Sequence, residues 1–184
     1  MKHPSSRAFF AYWDKMRGTA SAPDRSAIEP SAVRELLGDI FVLSYDAEAG
    51  YPFRVAGTRV CALLGRDLKE QSFLGLFAPQ GRREIGDIIA VVAEETLPAI
   101  AGITATSASG VPAHLELLLL PFSPRAHAPV SLTGVLAPFE GELTTLRDFG
   151  LTSYRYLHRQ EKLLPRAIRK LQVARGLMVY EGLR

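Results

Sequence analysis

Phe9, Tyr12, Trp13 and Met16 recur at i, i+3, i+4 and i+7, the spacing of one helical face. Ser5 or Ser6 can cap this helix and Gly18 can end it. The stretch GTASAPDRS that follows is rich in small and turn-forming residues and reads as a linker. Pro30 can open a short helix in which Val33, Leu36 and Leu37 form an apolar stripe before Gly38. IFVLSY (40–45) and PFRVAG (52–57) read as two strands joined by the turn AEAG, a hairpin. TRVCALLG (58–65) has helical spacing in Val60, Leu63 and Leu64, and SFLGLF (72–77) is another helical turn. The longest internal helix is predicted from Pro79 to Thr96, with Ile85, Ile88, Ile89 and Val92 on one face. Three strands follow: AIAGITATS (99–107), HLELLLLPF (114–122) and VSLTGVLAPF (130–139).

Two strands, several helices and three strands in that order do not make the alternation of a parallel doubly wound sheet. The pattern predicts an α+β domain: a five-stranded antiparallel sheet with short helices crossing one face. Strand alternation then sets Phe53, Val55, Ile103, Ala105, Leu115, Leu117, Leu119, Leu132 and Leu136 towards Ile85, Ile88 and Val92. That cleft is either a filled core or a cavity for a small apolar ligand, with Arg59 or Thr104 at its mouth. In LELLLLPF both alternating sets are apolar, so Leu118 and Leu120 need a cover on the opposite face. The stripe of Phe9, Tyr12, Trp13 and Met16 is the candidate cover, from the same chain or from a second subunit, which makes these six residues a candidate dimer or partner interface.

Composition adds a second region. With 47% hydrophobic and 22% charged residues the 184-residue chain is globular. Residues 155–184 hold eight basic residues against Glu161 and Glu181, a net +6, which leaves fourteen basic against seventeen acidic residues, −3, in 1–154. Ile168, Leu171, Leu177 and Met178 lie among Arg166, Arg169, Lys170 and Arg175, a pattern compatible with a cationic amphipathic helix. Such a tail can bind a partner, an anionic membrane surface or nucleic acid, or pack as a solvated helix. The expected organisation is an N-terminal helix and linker (1–27), a body (28–140) and a basic extension (141–184). One cysteine, Cys61, no apolar leader and no apolar run of transmembrane length point to the cytoplasm.

Catalytic chemistry finds little support. The chain has no GxSxG elbow, P-loop or HExxH, and the glycines at 57, 65, 75 and 81 are dispersed turn residues. His3, His114, His127 and His158 lack metal-ligand spacing, and His114 reads as a surface strand residue, so no metal site is assigned. Asp39 with Asp46, or Glu94 with Glu95, are acid pairs without a nucleophile or oxyanion donor beside them.

The segments AYWDKMRG (11–18), PDRSAIEP (23–30), LLGDIFVL (36–43) and FRVAGTRVCALLGRDL (53–68) resemble the PAS domain, in particular a single-domain PAS-like family common in alphaproteobacteria. The resemblance covers about residues 7–140. It implies a sensory or adaptor role in signalling through protein–protein contacts rather than a reaction, and a homodimer formed through a flanking helix. Light-sensing relatives carry the flavin-reactive cysteine in a motif like NCRFL, whereas Cys61 lies in RVCALL, which reads as a buried apolar cysteine. Haem-binding relatives place an axial histidine on the long helix, and 79–96 contains none. No cofactor is therefore assigned.

Overall fold

The computed structural model describes residues 1–124, 130–139, 145–158, 168–174 and 177–182. Helix α1 (Pro4–Arg17) is followed by 3-10 turns at Arg25–Ala27 and Pro30–Leu36, strands β1 (Ile40–Ser44) and β2 (Phe53–Ala56), and helix α2 (Thr58–Leu64). After 3-10 turns at Leu74–Leu76 and Pro79–Gly81 come helix α3 (Arg82–Glu94) and strands β3 (Ala99–Ser107), β4 (Pro112–Pro121), β5 (Ser131–Pro138) and β6 (Leu146–Tyr156). The fold is α+β, as the pattern predicts, with α2 and α3 on one face of an antiparallel sheet and α1 on the other.

The strand order is β2-β1-β5-β4-β3-β6, antiparallel throughout. The five expected strands are present. The sixth, β6, lies in the segment read as the start of the basic extension and pairs with β3 along its outer edge. Bulges near Gly102 and Thr104 interrupt that ladder, and Asp148 adopts a φ of 54°. These irregularities break the clean alternation by which a strand is recognised in a sequence.

The basic tail also differs from expectation. Residues Ile168–Ala174 (β7) and Leu177–Gly182 (β8) pair as a two-stranded antiparallel sheet rather than forming a helix. Short runs such as IRKLQVA fit both periods, and Ile168, Val173, Val179 and Tyr180 are strand-forming residue types. Arg169 and Lys170 belong to β7; Arg166 and Arg175 lie outside the described residues.

Two apolar layers sandwich the sheet. The inner one joins Phe53, Ile103, Leu115, Leu117, Leu119, Leu132 and Leu136 to Ile85, Ile88, Ile89 and Val92 of α3 and to Val60, Leu63 and Leu64 of α2. The outer one joins Leu118, Leu120 and Val135 to Phe9 and Trp13 of α1, with Tyr12 packed at its margin. The two-faced leucine run of β4 is therefore covered on both sides, the outer side by α1 of the same chain. Met16 is half-buried.

The expected linker is strapped down. Ser123 donates from its backbone N to the Pro23 carbonyl at 2.9 Å and from its hydroxyl to Ala22 at 2.6 Å, and Ala22 is buried. The Tyr12 hydroxyl accepts from the backbone N of Glu29 at 3.0 Å. Among the described residues no helix is long and apolar enough to cross a membrane.

Candidate functional site

Two of the sequence segments quoted above, LLGD and AGTR, turn out to be one junction. Gly57 donates its N–H to the Ile40 carbonyl at 2.8 Å, and the Gly38 carbonyl accepts from the backbone N of Arg59 and Val60 at 2.9 and 3.1 Å. Free N–H groups at the start of α2 thus find a carbonyl in the turn before β1. A Cβ on Gly57 would sit 2.1 Å from the Leu37 carbonyl oxygen, so the close approach admits only glycine.

The same approach delivers the Arg59 side chain across Gly38 to Asp39. Arg59 Nε donates to Asp39 Oδ1 at 2.6 Å and Nη2 to Oδ2 at 2.9 Å, with a further bond from Nη2 to the Glu35 carbonyl at 2.9 Å. A bidentate guanidinium–carboxylate pair is both stronger and more directional than a single bond. Asp39 is buried and Arg59 half-exposed. Burial by itself pushes the Asp39 carboxyl up, but hydrogen bonds from Arg59 and Ser5, together with the positive charge of Arg59 and the field of His3, hold it below the usual carboxylate value. The hydrogen bond to Asp39 pushes the Arg59 guanidinium up.

From the other side, the Ser5 hydroxyl donates to Asp39 Oδ2 at 2.7 Å. Ser5 is in the first turn of α1, which is capped not by a serine but by His3, whose Nδ1 accepts from the Ser5 backbone N at 3.2 Å. A second carboxylate fixes the same end: Glu116 of β4, also buried, accepts from the backbone N of Lys2 and His3 at 2.7 and 3.0 Å. Further along α1, Trp13 is fully buried and its indole N–H donates to the Pro121 carbonyl at 2.9 Å. One chain of contacts therefore runs from α2, on the inner face, through Asp39 to α1, on the outer face.

The cleft residues are brought together, with three exceptions. Phe53, Ile85, Ile88, Val92, Ile103, Leu117 and Leu132 share the inner layer. Val55 does not: a bulge places Leu43 opposite Phe53 but Val42 opposite Val55, so the two β2 residues fall on opposite faces and Val55 is 53% exposed. Arg59 is not at the cleft mouth, because it is committed to Asp39. Thr104 falls in line with Ile100 and Gly102 on the outer side of β3, where its hydroxyl donates to the Gly150 carbonyl at 3.4 Å.

Phenylalanines occupy the space between helices and sheet. Phe41, Phe53 and Phe73 contact one another with ring centroids 5.5–5.8 Å apart, and Phe73, Phe77 and Phe149 continue the series at 5.4 and 6.0 Å. These rings lie in the inner layer with the aliphatic residues read as the cleft. Cys61 is half-buried against the inner layer, its thiol facing the Ala56 carbonyl at 3.9 Å. His114 is exposed on β4, and His127 lies outside the described residues. Among the described residues no cluster of His, Cys, Asp and Glu could hold a metal ion.

The contacts that Asp39, Ser5 and Glu116 make were not legible in the sequence. The available signal was an aspartate set directly between apolar runs, LLG and IFVL, where a carboxylate needs a partner.

This sandwich, with its flanking helix latched across one end, is a small α+β domain. A family model described as PAS domain matches residues 1–137, and the chain belongs to that family. The match takes in α1 and its connection as well as the body. No curated protein sequence matches the chain. Among solved structures, the LOV protein of Rhodobacter sphaeroides is 16% identical, with a TM-score of 0.42 over 55% of this chain and 58% of that one. The chain therefore spans less than two thirds of that protein. The PAS domain of an HTR-like protein from Haloarcula marismortui is 16% identical, with a TM-score of 0.44 over 59% and 90% of the two chains. The dark structure of the blue-light photoreceptor Aureochrome1 LOV is 13% identical, with a TM-score of 0.47 over 64% and 86%.

Proposed function

We propose that this PAS-domain protein is a non-enzymatic signalling adaptor whose output element is α1 and whose partners are proteins, a second copy of the chain among them. The observation that carries this reading is the continuous contact from Arg59 through Asp39 to Ser5. A displacement of α2 changes the hold on the first turn of α1, and α1 covers an apolar sheet face. Loosening it uncovers Leu118 and Leu120 together with its own Phe9 and Trp13, surfaces suited to partner exchange.

Hydrogen exchange on the full chain tests the coupling. Arg59→Gln is expected to speed exchange across residues 7–17 of α1 while leaving the β3–β4 ladder protected. Faster exchange confined to α2 refutes the coupling. Native mass spectrometry tests the partner: a homodimer that is altered by Trp13→Ala supports α1 as the interface.

The basic tail favours a second reading, in which the tail binds an anionic membrane surface or nucleic acid and the PAS domain only dimerises. Because β6 extends through Tyr156, the informative truncation removes 159–184 and leaves the sheet intact. Partner binding retained by the truncated chain supports the adaptor reading, whereas loss of salt-sensitive binding to anionic vesicles or DNA supports the tail.

A further inference from the structure

Helix α1 covers the outer sheet face over β4 and β5 but leaves the part towards β6 open. There the sheet carries a groove running along β3, part of an open concavity of about 1130 Å³ lined by β3, β4, β6, the end of β5, Leu63 of α2 and the first residues of the chain. This volume is somewhat above the range usual for small-molecule pockets.

The register defines its floor and walls. Gly102 is opposite Glu116 on one side and Ser153 on the other; Ile100 is opposite Leu118 and Arg155. Gly102 therefore lies in the middle of the floor, where it carries no side chain of its own. A Cβ on it would meet Thr152 Oγ1 at 2.8 Å and Ser153 Oγ at 3.1 Å, so both hydroxyls overhang the same point. Ile100 continues the floor as an apolar surface, and Phe139, 39% exposed, adds an aromatic wall.

Charge gives the site its sign. Among the described lining residues the charged or titratable side chains are Lys2, His114, Tyr154, Arg155 and Glu116. Both Glu116 oxygens are engaged by the backbone N–H groups of Lys2 and His3. Lys2 and Arg155 are exposed on opposite walls, one at the β4 side and one on β6. An anionic head placed over Gly102 would have a cation on either side and two hydroxyl donors beneath it, with an apolar body lying along Ile100 and Phe139.

We propose that this outer groove is a binding site for a small organic anion with a flat apolar body, separate from the phenylalanine-lined region between helices and sheet. The anionic head is held by Arg155 and Lys2, and the apolar body rests on β3.

The probe is 8-anilino-1-naphthalenesulfonate, with N-phenyl-1-naphthylamine as its neutral counterpart, titrated into the folded full chain at neutral pH. One sulfonate site per chain is expected, with the largest amide shifts at Gly102, Ser153 and Arg155 and much weaker binding of the neutral amine. The surface double variant Lys2→Gln, Arg155→Gln should weaken the sulfonate about tenfold or more and leave the neutral probe unchanged, as loss of charge-assisted contacts requires. Circular dichroism and Trp13 emission confirm that the variant is folded. Equal binding of the two probes, unchanged sulfonate affinity in the double variant, shifts centred on the inner layer, or a dimer that excludes the probe from the groove would each overturn the proposal.

Discussion

Arg59 grips both carboxylate oxygens of Asp39, at 2.6 and 2.9 Å, while Asp39 accepts the hydroxyl of Ser5 at its far side. The pair joins a helix of the inner face to a helix of the outer face around the end of a six-stranded sheet. Arg59 is half-exposed, so water replaces part of what it supplies, and its charge alone contributes less than in a fully buried pair. Its weight lies in what depends on it: a buried carboxylate that also anchors α1.

Acid should loosen this junction first. Asp39 is held below its ordinary value of 3.8 in the folded state, so the unfolded chain binds its proton more readily. The contribution of Asp39 to stability is complete above about 3.8 and is lost as pH falls through the lower folded value. Urea unfolding followed between pH 6 and pH 2 is expected to show this loss in the native chain. Asp39→Asn should be less stable at neutral pH by roughly 1–3 kcal/mol and should lack that part of the acid dependence. An unchanged acid limb in the variant contradicts the assignment.

Trp13 is the single tryptophan and fully buried, which makes its emission a direct reading of α1 docking. The native chain should show blue-shifted emission that moves red when Arg59 is replaced by Gln. Trp13→Phe keeps most of the apolar contact but leaves the buried Pro121 carbonyl without its donor, an expected loss of about 1–3 kcal/mol in chemical denaturation.

Gly57→Ala places a Cβ where a backbone carbonyl already stands, 2.1 Å from the Leu37 oxygen. Unlike a clash with a flexible side chain, this one is relieved only by separating α2 from the turn before β1. A destabilisation of about 3 kcal/mol or more is expected from overpacking of this kind, measured by the shift in urea midpoint. Gly81→Ala, where no neighbour lies within 4 Å of the added carbon, serves as the neutral control.

Tyr45 should titrate far from its ordinary range. Its hydroxyl is bonded to Glu94, and that bond, followed by partial desolvation and the nearby negative charge, pushes it up to about 12. Ultraviolet titration of the folded chain should show this late tyrosine, and Glu94→Gln should bring it back towards 10. The bond also ties Glu94, at the end of α3, to the stacked rings of Tyr45 and Tyr51.

The inner core was the most legible part of the molecule. Ile85, Ile88 and Val92 on α3, and Leu115, Leu117 and Leu119 on β4, follow unbroken periods, and each is buried where its period places it. Val55 shows how that reasoning fails: one bulge reverses the faces of a four-residue strand, and a bulge leaves no mark in the pattern of apolar residues. β6 was missed for a related reason, since an edge strand with two irregularities and one wetted face offers no clean alternation to detect. The outer groove could not be anticipated at all. It depends on which residues of three strands stand side by side, and on a glycine in the middle row.

By itself the sequence determined the class of the fold, the strands β1 to β5, the inner apolar layer and the need for a cover over Leu118 and Leu120, because each of these rests on local periodicity or on the cost of leaving apolar surface in water. Tertiary structure alone decided that Asp39 meets Arg59 and Ser5, that Arg59 leaves the cleft, that phenylalanines stack on one another there, and that Gly102, Ser153 and Arg155 line an open groove. Asp39 meets Arg59 across 20 residues and Ser5 across 34, and Gly102 meets Ser153 on another strand; backbone register and close approach set these relations rather than any property of the neighbouring residues in the chain.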